Sequence, residues 1–273
     1  MTDKSVNEGL RQEELQRIVG EIQQVLTTSD GTGASRRRVL VGHGSGSFGH
    51  VVAERFQAHL GKSGPHAKTG FALVARSAAK LNAIVLDALV SSGLPCVAFP
   101  PRSSVVCADG VAVQMRDFAA AVRLALDDGV VPLVNGDCVA DSVRGCTILS
   151  TEGVFAGLLD DAVFAADATN DPFWILCAGE TNGVLAKNGD TVPVISEADF
   201  DSLDALTSAS RGADVSGAMR GKVRWLLDLV TRHRRVRALI FNGLTPGNIA
   251  LSLRAPQEVQ HATRIVSASD STE

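Results

Sequence analysis

Tyrosine is absent from the 273 residues, and aromatic side chains of every kind make up only 4% of them. So thin a supply leaves little with which to stack bases, which argues against a binder of single-stranded nucleic acid. Positive charge is not in excess: the formal net charge is −4 and the pI about 5.9. No global field draws the chain to nucleic acid or an anionic membrane, so any anion must be held locally. No apolar run approaches the ~20 residues of a bilayer span. The opening MTDKSVNEGLRQEEL lacks the apolar core of a signal peptide. The five cysteines, Cys96, Cys107, Cys138, Cys146 and Cys177, are odd in number, widely spaced and without a CxxC pair. They read as reduced thiols of a soluble, cytoplasmic protein, some of them small core residues. No internal repeat is visible.

The apolar fraction is 45% and the charged fraction 21%, enough to bury a sizeable core. A chain of this length could form two small domains, but α/β chains of this size often form one layered unit. Leu15, Ile18, Val19, Ile22, Val25 and Leu26 fall at helical spacing and predict a helix over residues 8–26. Val39, Leu40 and Val41 suit a buried parallel strand. Helices are expected at about 50–60 and 70–92, a strand at 95–99, a helix at 114–127 and a strand at 130–134. Residues 137–149 read as a hairpin with Arg144 and Gly145 at its turn. A strand at 173–177, a helix from Gly217, a strand at 236–241 and a helix after Pro246 follow. The basic run Arg232 to Arg237 reads as a solvated helix end, and residues 267–273 as a frayed tail. The alternation predicts parallel strands with crossover helices.

The richest chemistry lies at His43-Gly44-Ser45-Gly46-Ser47-Phe48-Gly49-His50, between a strand and a helix. Glycines let backbone N–H groups approach phosphoryl oxygens, and a helix N-terminus adds unpaired donors and partial positive charge. A tight turn using glycine for steric reasons is the plainer alternative, since neither GxGxxG nor GxxxxGK[ST] is met. His50 could donate to an acceptor's phosphate, or be a capping or core histidine. A second small-residue turn, Asp214-Val215-Ser216-Gly217-Ala218-Met219-Arg220-Gly221-Lys222, opens another helix. Lys222 lies one turn in, where it can reach phosphates or point into solvent. Asp137 follows a strand at the sheet edge where α/β proteins bind ligands, and could equally cap a turn. Thr151-Glu152 could be a ligand group or a helix N-terminus with an acidic first turn.

Taken together, HGSGSFGH (43–50), KTGF (68–71), PLVNGDCVAD (132–141), GCTILS (145–150), DVSGAMRGK (214–222) and TRI (263–265) resemble the amino acid kinase superfamily. Within it the chain looks like the isopentenyl phosphate kinase family over nearly its whole length, and the histidine closing the first segment is the specific mark. The resemblance implies an α/β, three-layer αβα sandwich with a mainly parallel central sheet. It implies one domain over 1–273, with 1–150 as the acceptor-phosphate half and 151–273 as the nucleotide-binding half. It implies that Ser45, His50 and Thr151 meet the acceptor phosphate, with Asp137 beside them, and that Gly44 and Gly46 meet the transferring phosphoryl group. Lys222 and the Gly217-Ala218 turn would contact ATP, with Glu180 near the adenosine and Mg²⁺ bridging the ATP phosphates. No protein-borne metal site, nucleic-acid partner or membrane partner is implied, and a homodimer is. The substrate would be isopentenyl phosphate, its apolar tail lined from residues 70–92 by Phe71, Leu73 and Val74.

The resemblance also breaks in places. The family opens with a strand and a Lys-x-Gly-Gly-Ser loop, then Thr-x-Lys; here Thr2 and Lys4 match the later pair, which gives Lys4 a catalytic role. The expectation is that the first strand and loop are missing, through an internal start site or with loss of activity. Gly-Asp after the ILS run is Thr151-Glu152 here, Thr-Asp on the nucleotide side is Gly179-Glu180, and a glycine before methionine is Ala218. Two other readings stand beside the kinase: a kinase for another phosphate or phosphonate of the fosfomycin type, and a catalytically impaired binding protein.

Overall fold

The computed structural model describes residues 1–3, 6, 8–28, 37–56, 67–165, 172–200, 202 and 216–267. The chain divides into two compact units, Met1–Asp167 and Ala168–Glu273. In the first, the elements run β1 (Thr2–Asp3), β2 (Gly9–Leu10), α1 (Gln12–Thr27), β3 (Val41–His43), α2 (Gly46–Arg55), α3 (Ala67–Ser91), β4 (Cys96–Ala98), β5 (Val106–Ala108), β6 (Val111–Gln114), α4 (Arg116–Asp127), β7 (Val131–Asn135), β8 (Asp137–Asp141), β9 (Gly145–Leu149), α5 (Thr151–Asp160) and α6 (Ala162–Ala165). In the second they run β10 (Phe173–Gly179), β11 (Val194–Ile195), β12 (Val236–Asn242) and β13 (Thr263–Ile265), with helices Glu197–Phe200, Ser216–Arg232 and Asn248–Arg254 between the strands. The chain is thus mixed α/β with parallel strands and helices, as the alternating pattern predicts. The tail at 268–273 lies outside the described residues.

Strands β3, β7 and β4 form an all-parallel sheet in the order β3-β7-β4. All five residues of β7 are buried, which is why its sequence VPLVN shows no polar alternation. The β3 strand begins at Val41 rather than Val39, because its β7 partners run from Leu133, opposite Val41, to Asn135, opposite His43. Helix α4 buries Phe118, Val122 and Leu126 at four-residue spacing, each contributing about 1.5–3 kcal/mol by leaving water. Helix α1 buries Leu15, Val19, Ile22 and Val25 from the stripe read in the sequence. It starts later than expected because Gly9–Leu10 pairs antiparallel with Thr2–Asp3. Helix α2 starts at Gly46, earlier than expected, because the glycine loop itself enters the helix.

The expected hairpin at 137–149 is β8 paired with β9, Asp137 opposite Leu149 and Asp141 opposite Gly145. A second hairpin, β5–β6, lies beside it, β5 pairing parallel with β8. Its turn is Asp109-Gly110, both at positive φ (50° and 86°), the conformation that this dipeptide serves in a two-residue hairpin. One carboxylate fastens both turns. Asp141 accepts from the amides of Asp109 (3.2 Å), Gly110 (2.7 Å), Val143 (2.9 Å) and Arg144 (2.8 Å). Desolvation pushes its pKa up, but those four amides outweigh it and hold the carboxyl down at about 2. A depressed carboxyl stabilises the fold above its unfolded pKa of about 3.9, and this is lost as pH falls toward the folded value. Asp141→Asn should therefore lower Tm at neutral pH, and the gap from the parent protein should narrow progressively as both are melted at lower pH.

In the second unit the sheet order is β10-β12-β13-β11. The β10–β12 pair is parallel from Phe173 opposite Val236 to Gly179 opposite Asn242, and β12 meets β13 antiparallel. Arg232 closes its helix and pairs with Asp228 at 2.9 Å, on the face expected to be solvated. Among the described residues no helix is long and apolar enough to cross a membrane. None of the five cysteines is in a disulfide, and four of them are buried.

Candidate active site

Strand β3 ends at His43, and the chain passes through Gly44 and Ser45 straight into α2. Gly44 is exposed, and a Cβ placed on it would meet nothing within 4 Å, so its backbone faces open space. Gly46 has φ +48°, where L side chains are rare, and a Cβ there would lie 2.2 Å from Thr2 Oγ1. Ser45 is the N-cap of α2, but its side chain makes no capping bond. It lies over Gly49 instead, where an added Cβ would come 2.4 Å from Ser45 Oγ. The first-turn amides of α2 therefore lack the side-chain oxygen that usually satisfies them, the condition for receiving an external anion.

A second helix N-terminus reaches the same strand end. Ser150 caps α5 by accepting from the Gly153 amide at 3.0 Å. Thr151, the first helical residue, donates its hydroxyl to the His43 carbonyl at 2.7 Å. The Gly136 amide donates to that same carbonyl at 3.0 Å. A Cβ at Gly136 would come 3.2 Å from Thr151 Oγ1 and 3.3 Å from Thr151 N, so a larger residue there would press on the start of α5. Two helix dipoles thus point their positive ends at the C-terminal end of β3.

The His43 side chain, 4% exposed, was not singled out by the sequence reading, although it opens the segment that was. Its Nδ1 lies 2.9 Å from the Gly44 carbonyl oxygen, and its Nε2 lies 2.9 Å from Asn82 Oδ1 on α3. Burial pushes its pKa below the usual histidine range, against the opposing pull of these two contacts. A neutral ring with its proton on Nδ1 donates to Gly44 and accepts from the Asn82 amide group, whose oxygen and nitrogen exchange by a half-turn.

Asp137 begins β8 with its side chain fully buried. Arg102 Nε approaches the carboxylate at 3.0 Å, the Arg102 amide donates at 3.3 Å, and the Cys138 amide donates at 2.8 Å. Burial raises its pKa, and Arg102 and the two amides oppose that shift. The group ties the Gly136 turn to the 3-10 turn Pro101–Ser103. Arg102 was a further omission, because its partner lies 35 residues away in sequence.

His50 is the fifth residue of α2, with its side chain outside the described residues, as is Lys4 between β1 and β2. Thr2, two residues earlier, packs against Gly46, and Ser47 Oγ donates to the Gly9 carbonyl at 3.2 Å, so the β1–β2 pair docks on the start of α2. Ser45, Gly44, Gly46 and Thr151 therefore cluster around the β3 end. The remaining candidates belong to the second unit. Glu180 follows β10 directly, in a loop held by the Gly243 amide on the Gly179 carbonyl (2.9 Å) and by Asn242 Nδ2 on Asn182 Oδ1 (3.1 Å). Gly217 and Ala218 lie in the first turn of Ser216–Arg232, and Lys222 is its seventh residue, half-buried. Asp214 and Val215 are outside the described residues.

A glycine loop at the end of a parallel strand, entering one helix beside the start of another, is a place where an anion can be held by backbone donors. The profile of the Amino acid kinase family matches residues 2–242, and the chain belongs to that family and is a kinase. It is similar to isopentenyl phosphate kinase of Methanothermobacter thermautotrophicus, 31% identical over 246 residues (88% of this chain and 85% of that one). It is also similar to isopentenyl phosphate kinase of Methanocaldococcus jannaschii, 29% identical over 255 residues (93% and 91%). Among solved structures, one of isopentenyl phosphate kinase matches with a TM-score of 0.73 at 25% identity, covering 97% of this chain and 94% of that one.

Proposed function

We propose that the protein transfers the γ-phosphoryl group of ATP to isopentenyl phosphate, forming isopentenyl diphosphate. An oxygen of the acceptor phosphate forms the new P–O bond while the bond from Pγ to the β,γ-bridging oxygen breaks, and ADP leaves with that electron pair. The observation that carries this reading is the meeting of two helix N-termini and the open Gly44 backbone at the end of β3. Such a site neutralises anionic oxygens without a protein nucleophile. Helix α2 presents His50 in its second turn, two residues before Val52. Val52 and Ala53 join Phe71, Val74 and Ala75 of α3, with Cys138 and Ile148 of the β8–β9 hairpin, in one apolar cluster. An apolar tail of about five carbons attached to a phosphate at the loop suits such a neighbourhood. Phe71 and Val74 are thus in the cluster; Leu73 is not among its members.

The donor set fits a nucleotide polyphosphate: the helix Ser216–Arg232 opens with small residues and carries Lys222 in its second turn. Among the described residues no group of three or more His, Cys, Asp and Glu side chains could hold a metal ion. Mg²⁺ in this reading is carried mainly by the ATP phosphates, whose charge it neutralises. Lys222→Ala should raise the KM for ATP by about ten- to a hundredfold, the scale of a lost charged hydrogen bond, with a smaller change for the acceptor. Homodimer formation through the first unit and a cytoplasmic location belong to the same reading. Phosphorus NMR of the product tests it: isopentenyl phosphate should be replaced by the paired signals of a diphosphate ester as ATP becomes ADP. Hydrolysis of ATP with the acceptor monophosphate unchanged would refute it.

A further inference from the structure

His43 connects every segment of the acceptor side. Its backbone carbonyl receives the Gly136 amide and the Thr151 hydroxyl, and its ring contacts the Gly44 carbonyl and, on α3, Asn82. The ring contact with Gly44 has a geometric consequence. In a planar trans peptide the carbonyl oxygen and the following N–H point in opposite directions. With the Gly44 oxygen drawn to Nδ1, the Ser45 N–H is turned the opposite way, away from the His43 ring, beside a glycine that is itself exposed. Left without that anchor, a glycine peptide, whose backbone tolerates many conformations, can rotate its oxygen outward, where it would repel an anion.

Building on the proposed function, we propose that His43 is a positioning residue for the acceptor phosphate: its Nδ1–H holds the Gly44 carbonyl so that the Ser45 amide faces the anion. His43 does not touch the substrate. It acts through the loop peptide, and Asn82 fixes the ring plane from α3. The role depends on Nδ1, not on the bulk or burial of the ring, and this separates it from a histidine that only fills the core.

Side-chain amides distinguish the two ring positions, since the asparagine NH₂ falls near where Nδ1 sits and the glutamine NH₂ near Nε2. We would compare His43→Asn, His43→Gln and His43→Ala with the parent chain. The readouts are calorimetric binding of n-pentyl phosphate without nucleotide, KM for isopentenyl phosphate and for ATP, and Tm. His43→Gln and His43→Ala should weaken pentyl phosphate binding, and raise the isopentenyl phosphate KM, by about tenfold, the scale of one lost hydrogen-bond donor. The ATP KM should move by less than about twofold, and His43→Asn should stay within about threefold of the parent for pentyl phosphate. Equal impairment of the Asn and Gln variants overturns the proposal, as does a joint rise of both KM values or a loss that follows Tm alone. If His43→Ala does not fold, the Asn–Gln contrast still decides. The contrast in pentyl phosphate binding without turnover of isopentenyl phosphate would uphold the role of His43 and refute the kinase assignment. Turnover without the contrast would do the reverse, and a parent chain that neither binds pentyl phosphate nor turns over isopentenyl phosphate would overturn both.

Discussion

His50→Ala is expected to lower kcat/KM for isopentenyl phosphate by about 10²- to 10³-fold, the range seen when one preorganised donor to developing charge is removed. The ATP KM should change little. The helix that bears His50 begins at Gly46 with first-turn amides that no side chain caps. In the proposed reading, an acceptor phosphate drawn to those amides would lie about one helical turn from residue 50. Backbone donors cannot be mutated away, so the histidine is the acceptor-side group whose loss should be felt most. His50→Gln, which keeps a donor but cannot become charged, should fall between the two. Loss of binding for both substrates in His50→Ala would instead mark the residue as structural.

Gly42→Ala should damage both stability and activity. A Cβ at Gly42 would lie 2.6 Å from Phe155 Cζ, 2.9 Å from Phe155 Cε2 and 2.8 Å from Thr151 Cγ2. Gly42 is in β3, paired opposite Val134, so the strand cannot retreat without breaking its register. The start of α5 has to move, and with it the Thr151 hydroxyl that holds the His43 carbonyl. Overpacking of this kind costs about 1–3 kcal/mol, a fall of roughly 3–10 °C in Tm for a chain of this size, read by calorimetry. Activity should fall further than stability, because the displaced helix is one of the two that start at the proposed anion site. Phe155→Leu on the same background should recover part of both. Gly20→Ala is the control: its Cβ would meet nothing within 4 Å at an exposed position of α1, and removing a mid-helix glycine should raise stability by up to about 1 kcal/mol.

Amphipathic periodicity made α1 and α4 legible, since both bury a stripe at three- and four-residue spacing. The β8–β9 hairpin was equally plain. The β5–β6 hairpin was not, although Asp109-Gly110 is a strong turn signal. Its strands have three and four residues, too short for alternation to register, and β6 leaves Val111 and Val113 exposed. The glycine loop could be read because its chemistry resides in the backbone, where glycine spacing is itself the signal. Side-chain partnerships could not be read: nothing local links Arg102 to Asp137, His43 to Asn82, or Asp141 to two turns at once. Thr151 was read as a ligand group or as a helix start; the fold makes it a first-turn residue of α5, and its bond to the His43 carbonyl was not foreseen.

The most direct test is ADP release with Mg²⁺-ATP and, in turn, isopentenyl phosphate, isopentenol, N-acetylglutamate and carbamate as acceptor. A site built to grip a phosphate-bearing acceptor at the end of β3 should release ADP quickly with isopentenyl phosphate and only at background rate with the other three. Comparable turnover of carbamate or N-acetylglutamate, or none of isopentenyl phosphate, would contradict the account.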